Sequence, residues 1–456
     1  MRKEMFGHEI AVLRDTFRRL LRRHAKVNLQ KLLEKTHPAD LALIYRHFNE
    51  DEQKALFSLM ETSEQTAEFL GELDESILHD LLVNESPQRI ANVIREAGTN
   101  DQALILGLLP VELTKSILEL MHDEDQEEVE EMMAYPEDSA GSLMYTDVFT
   151  MHEETRAGEA IAALQSFEKA EMVFYLYVTD DEGRLAGVIS LRDLVTTPAD
   201  VHLEDIMIKH VFSVRPETDQ EEVAKIVSRY NYLAVPVIDV DNKILGIVTV
   251  DDVVDVIREE ATEDFLQMAG VGKDREILLK SSWDNAKSRL PWLFTSWMGG
   301  IAAAMIIGVF DSALESMVAL AAFIPVVIGM GGNIGTQSST IVVRGLATGR
   351  VEVGNTFMVI FKEIKVGLIL GVFYGLLLGI VAYLRFISGP PLLGVVVGLS
   401  ICISMLIAAT IGTFVPLFLR RMDIDPAIAT GPFVTTSIDV LGVLFYFMIA
   451  TALLPI

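Results

Sequence analysis

The 456-residue chain holds a single cysteine, Cys402, inside an apolar run. That excludes a disulfide framework and a cysteine-based metal site within one chain. Histidine is missing where a membrane enzyme would need it: all nine histidines stand at or before His210. Charge is scarce in the last part of the chain. Residues 281–456 carry nine Lys/Arg and eight Asp/Glu, whereas residues 1–280 carry 28 basic and 57 acidic residues. An acidic half is thus joined to an apolar half, at a length that exceeds one ordinary core. The acidic surface repels nucleic acid and attracts cations, so metal is expected as a partner and nucleic acid is not. Residues 1–30 are charged and lack a continuous apolar run, so no cleavable signal is expected.

The apolar half divides at charges and turn residues into five stretches long enough to cross a bilayer, near 290–310, 316–341, 366–384, 392–419 and 427–455. Lys287, Arg289, Arg344, Arg350, Lys362, Lys365, Arg420 and Arg421 flank them on one side, and only Arg385 on the other. By the positive-inside rule the acidic half and N-terminus face the cytoplasm of a plasma or inner membrane, and the C-terminus lies outside.

Asp439 is the only acidic residue read within these five stretches. If the fifth helix starts near Ala427, a rise of ~1.5 Å per residue puts Asp439 about 18 Å in, near mid-membrane. A carboxylate there marks an ion pathway, a proton relay or a buried pairing. Thr435 and Thr436 precede it. The second stretch contains IPVVIGMGGNIGTQSST, with four glycines around Asn333, followed by Gln337. Each glycine weakens a helix by about 1 kcal/mol relative to alanine, so the cluster signals either close helix packing or unwound backbone.

Residues 142–260 contain two similar units, each reading as a short strand, a helix, two strands around a turn and a closing helix. GVISLRDL in the first matches GIVTVDDV in the second position for position. The repeat resembles a tandem of CBS domains. In that module the pattern implies adenosine-nucleotide binding in some members, here through Ser190, Asp193, Thr249 and Asp252. Residues 25–135 read as short amphipathic helices stacked into a superhelix. After the second repeat, Asp252, Asp255, Glu259, Glu260, Glu263 and Asp264 recur at three- and four-residue spacings on one helix. Like charges so placed repel unless a cation intervenes, and hard divalent cations take carboxylate oxygens.

In order and motif the chain resembles the MgtE family of magnesium channels over nearly its full length. PVVIGMGGNIGTQS and DPAIATGPFVTTSIDVLG carry the resemblance. It implies a multidomain protein: an all-α superhelical N domain (25–138) after a basic segment (1–24), α/β tandem CBS domains (139–200 and 201–257), a connecting plug helix (258–285) and a five-helix transmembrane domain (286–456). It also implies a non-enzymatic, homodimeric, lipid-embedded importer of hydrated Mg2+, closed by cytosolic Mg2+, with ATP as a candidate ligand of the CBS pair. Asp439 falls on the family's pore acid, with Asn333, Gln337, Thr435 and Thr436 on its pore motifs. Asp219, Glu221, Asp252, Asp255, Glu260, Glu263, Asp264 and Asp425 match acids that bind regulatory Mg2+. Gly431 departs from members that carry Asn near the pore entrance.

An intramembrane zinc protease needs membrane histidines of the H-E-x-x-H kind, and an aspartyl protease needs two membrane carboxylates; the residues read within the spans supply neither. No P-loop pattern points to ATP-driven transport. An ion-coupled divalent-cation carrier remains the alternative to a channel.

Overall fold

The structure, a computed structural model, describes residues 2–61, 63–167, 174–272, 280–351, 356–387, 389–422, 424–429 and 431–455. Residues 273–279 of the expected plug segment, and Thr430 in the fifth-span motif, lie outside the described residues. The chain divides into two compact units, Met1–Ile257 and Arg258–Ile456.

The first unit begins with a 21-residue helix, Arg2–Arg22, and continues with short helices, most of them eight residues long, such as Pro38–Tyr45, Glu50–Phe57, Glu64–Gly71 and Pro87–Ile94. Local chemistry sets their ends. Proline occupies the first turn of two of them, and Asn49 forms a capping box with Glu52, accepting from its N–H at 2.9 Å. Each helix buries one stripe, for example Leu41, Ile44 and Tyr45, or Ile90, Val93 and Ile94. Alternate helices stack: Pro38–Tyr45 on Glu64–Gly71, that on Pro87–Ile94, and that on Val111–Leu118. This is the superhelix expected from the spacing of the apolar residues.

The repeat forms strands β1 (Thr150–His152), β2 (Tyr175–Thr179), β3 (Leu185–Ser190), β4 (Ala234–Ile238) and β5 (Ile244–Thr249). β1 pairs parallel to β2, which pairs antiparallel to β3; β4 pairs antiparallel to β5. The register repeats: Tyr175 lies opposite Ser190 as Ala234 lies opposite Thr249, and Gly187 opposite Val178 as Gly246 opposite Val237. Both hairpins turn on an aspartate. Asp180 Oδ1 accepts from Arg184 N–H and Asp239 Oδ1 from Lys243 N–H, each at 2.8 Å. In the second repeat Val214 bridges Val237 in parallel, the counterpart of β1. Each repeat also lends a residue to the other: Tyr145 bridges Ile247, and Ile208 bridges Val188.

The second unit starts within the long connecting helix Val250–Met268, and its described residues include five helices long and apolar enough to cross a membrane. These are Ser282–Val309, Ile324–Ala347 with a preceding 3-10 segment Val318–Phe323, Thr356–Arg385, Leu393–Arg421 and Pro432–Leu453. The third and fourth spans approach through glycine. A Cβ at Gly375 would stand 2.5 Å from the Gly398 carbonyl oxygen, and one at Gly398 2.7 Å from that of Gly375. The second span packs on the fourth and fifth, and the first on the fifth.

Three expectations change. The second span is one continuous helix from Ile324 to Ala347, so its glycines serve close packing and not unwinding. Gly331 accommodates Ser404 and Ile438, and the Gly335 carbonyl sits against Gly412. The fifth helix starts at Pro432, after a separate 3-10 turn Pro426–Ala429, so Asp439 stands about 10 Å from its start. The third helix starts at Thr356, a turn and more before the long apolar run, and takes in a second acid, Glu363, which is 7 % exposed.

Candidate functional site

Asp439 is half-buried, and it faces the second span: a Cβ added at Gly332 would stand 3.8 Å from its Oδ1. The absence of a side chain at 332 leaves the carboxylate open on that side. Asn333 and Gln337, one turn apart on the same helix, are both exposed, in line with Gly329 above and Thr340 and Arg344 below. Two amides open on a membrane helix cannot face hydrocarbon without cost, so they require water or protein opposite them. Thr436 instead packs on Gly299 of the first span, and Thr435 donates its hydroxyl to the Gly431 carbonyl at 3.3 Å. The two threonines therefore shape the start of the helix, while Asp439, Asn333 and Gln337 present open polar atoms. Tyr446 donates its hydroxyl to the Leu320 carbonyl at 2.8 Å and so ties the fifth span to the segment leading into the second.

The end of the connecting helix closes on the start of the fifth span. Gly270, at φ +71°, packs against Pro432, and position 431 lies 3.4 Å from the Gly270 Cα, measured from an added Cβ. Glycine at 431 permits this approach where a longer residue would press on the helix end. Gln267, 1 % exposed, donates to Glu263 Oε1 at 2.8 Å, and Glu263 is itself buried. Glu260 and Asp264 are half-buried on the same helix. Asp425 accepts from Ala427 N–H at 2.8 Å and opens the 3-10 turn before the fifth span.

In the first unit, Asp219 caps the helix Gln220–Tyr230 by accepting from Glu221 N–H, and Glu221 pairs with Lys225 at 2.8 Å. Asp255 is exposed. Asp252 has a different setting. Thr249 donates to its Oδ2 at 2.6 Å and the Tyr145 hydroxyl lies 3.4 Å from its Oδ1. Burial, followed by the charges of Asp251 and Asp101, pushes its carboxyl up to about 7. Asp101, from the helix Thr99–Gly107, was not singled out by the sequence; no spacing links it to residue 252. Among the described residues no three Asp, Glu, His or Cys side chains of this chain gather closely enough to hold a metal ion. The acids expected to bind regulatory Mg2+ therefore form no closed cage among the described residues of one chain, and they range from exposed Asp255 to buried Glu263.

The two matching repeat motifs differ in access. Ser190 donates to Asp193 Oδ2 at 2.6 Å and caps the helix Leu191–Thr196, and both residues remain accessible. Thr249 and Asp252 make the same pair, but Tyr145 lies over them. The second repeat carries a stacked aromatic ladder, Phe212 to Tyr230 at 4.4 Å and Tyr230 to Tyr232 at 5.5 Å. Tyr175 joins the two, pairing in register with Ser190 while its hydroxyl accepts from Leu233 N–H at 3.5 Å.

Residues 324–449 match the family described as a divalent cation transporter, MgtE. Residues 36–138 match the MgtE intracellular N domain, and residues 140–200 and 203–259 match CBS domains. The chain is 35 % identical to the magnesium transporter MgtE of Bacillus subtilis, covering 95 % of this chain and 96 % of that protein. It is 34 % identical to the magnesium transporter MgtE of Thermus thermophilus, covering 93 % and 95 %. Among solved structures it is similar to the cytosolic domain of the Mg2+ channel MgtE in complex with ATP. That likeness has TM-score 0.51 and 31 % identity, and it covers 53 % of this chain and 99 % of that one.

Proposed function

From the premise that this chain belongs to the MgtE family of magnesium transporters, we propose that it is a Mg2+-selective channel passing hydrated Mg2+ into the cytoplasm. The observation that carries this reading is the open carboxylate of Asp439 opposite Gly332, beside the exposed amides of Asn333 and Gln337. In a homodimer with its axis along the second and fifth spans, two Asp439 carboxylates balance one divalent ion, and the exposed amides line water. Mg2+ sheds its water reluctantly, so the ion is held through outer-shell hydrogen bonds to carboxylate and amide oxygens. The membrane potential then drives entry by about 4.6 kcal/mol per 100 mV for a divalent cation. Orientation follows the Lys/Arg bias, with the N-terminus in the cytoplasm and the C-terminus outside.

Gating follows from the dispersed acids. Cytosolic Mg2+ bound at Asp219, Glu221, Asp252, Asp255, Glu260, Glu263, Asp264 and Asp425 screens surfaces that otherwise repel, and favours the compact arrangement. The connecting helix, already against the start of the fifth span through Gly270 and Pro432, is the element that such compaction holds in place. Asp252 is the acid most in need of a counter-charge, because burial and two neighbouring aspartates oppose its ionisation. ATP binds at Ser190 and Asp193, its base stacking on the aromatic ladder; the second motif, under Tyr145, is closed to it. No catalytic residue is assigned.

Single-channel recording of the purified protein in a planar bilayer tests the central reading. Stepwise Mg2+ currents support a channel. Flux strictly coupled to protons or Na+ would make the protein a carrier.

A further inference from the structure

Glu363 is a buried acid with no part in the pathway just described. It lies in the second turn of the third span, 7 % exposed, and its carboxylate accepts from the Ser338 hydroxyl at 2.9 Å. Ser338, 1 % exposed, belongs to the second span and directly follows Gln337. No ion pair to Glu363 is present among the described residues, although Lys362 and Lys365 flank it in sequence; Lys365 instead lies over the Phe361 ring. A buried carboxylate without a cation is costly, and a single hydroxyl donor compensates only part of that cost.

The position of the pair explains why such a cost is tolerated. On the second helix, residues 333 and 337 form the exposed polar face, and residue 338 is turned about 100° from 337, into the protein. Just beyond, Val342 and Leu346 of the second span cluster with Val359 and Ile360 of the third and Leu417 of the fourth. Apolar contacts of this kind fix the distance between helices but tolerate rotation, because they are non-directional. The Ser338–Glu363 hydrogen bond is directional, and together with the close contacts at Gly331 and Gly335 it resists turning of the second helix about its own axis.

We propose that Glu363 is a positioning residue: through Ser338 it sets the rotation of the second span, and so the direction in which Asn333 and Gln337 face the ion. This rests on the reading that the second and fifth spans line the pathway. The role requires an acceptor at position 363 and not a charge, which distinguishes it from an acid that attracts cations electrostatically.

The test compares E363A, E363Q and S338A in full-length protein reconstituted in liposomes, with D439A alongside. The half-saturating Mg2+ concentration, the maximal flux and the Mg2+-over-Ca2+ preference are measured for each. E363A and S338A are expected to raise the half-saturating concentration about tenfold and to reduce the preference, the scale of one lost hydrogen bond to a charged group. E363Q keeps the acceptor and is expected to restore most of both, whereas a global loss of folding would lower maximal flux and yield in every variant alike. E363Q as impaired as E363A would overturn the proposal in favour of a charge effect, and E363A with unchanged preference would overturn it outright. Normal flux through D439A would instead remove the pathway reading, whatever the behaviour of residue 363.

Discussion

Gly332 and Asp439 face each other across the second and fifth spans, with only 3.8 Å between the place of an absent Cβ and the carboxylate oxygen Oδ1. One residue supplies the charge and the other supplies the space beside it. Neither role is legible in the identity of the partner alone, and in the proposed pathway the two together leave room for an ion.

D439A is expected to abolish Mg2+ flux while leaving the protein folded, because a half-buried carboxylate is replaced by a small apolar group that leaves no unpaired polar atom behind. Mg2+ uptake into liposomes, beside a thermal unfolding scan, checks both parts. Retained flux would remove Asp439 from the pathway.

Two glycine substitutions are expected to separate packing from conduction. G412A places a methyl group against the Gly335 backbone carbonyl, which has no flexible end to yield, so it is expected to destabilise the protein by about 1–3 kcal/mol. G332A meets only the Asp439 carboxylate at van der Waals distance. It is expected to fold normally and lower flux by narrowing the approach. Equal stability losses in the two variants would contradict this.

If the proposed gating holds, the substitutions E260Q, E263Q and D264N together are expected to keep the protein conducting at high internal Mg2+. Patch recording with millimolar Mg2+ on the cytoplasmic side reads the outcome. Unchanged closure would move the sensor to other acids.

Asp252 gives the first unit a pH dependence of definite sign. Its carboxyl is held up to about 7 in the fold, against the usual 3.8. The folded state therefore binds more protons than the unfolded state between those values, and this group's stabilisation is lost as pH rises from about 4 through 7. On the proposed gating Mg2+ competes with that proton, so its protection of the first unit against proteolysis is expected to be stronger at pH 8 than at pH 6. D252N is expected to flatten the difference. A pH-independent Mg2+ effect in the unsubstituted protein would detach Asp252 from cation binding.

ATP binding is expected to fall at least tenfold in D193A and to change little in D252N, because only the first motif is open. Calorimetric titration of the full-length protein with ATP measures both. Equal losses would place nucleotide at the second motif as well.

Much of this architecture was legible in the sequence. Five apolar runs, the tandem repeat and the short amphipathic helices follow from local periodicity, and each appears as a helix or strand of the expected kind. Asp439 stood out because charge is rare in a hydrophobic run. Glu363 did not, because it lies among Lys362 and Lys365 and read as part of a charged loop. Its signal was the row Glu363, Gly367, Gly371 and Gly375 at four-residue spacing, all buried on one helix face. Similarly, the glycines around Asn333 left packing and unwinding both open, since composition does not say what stands opposite a missing side chain.

What the sequence determined by itself is whatever depends on neighbours along the chain: helix and strand periods, capping, hydropathy and the distribution of charge. Only the tertiary structure decided which atoms meet across elements. Gly332 opposite Asp439, Glu363 under Ser338, and Tyr145 against Asp252 are separated by 107, 25 and 107 positions in the sequence. Their chemistry is set by burial and directional contact, and those exist only once the helices have packed.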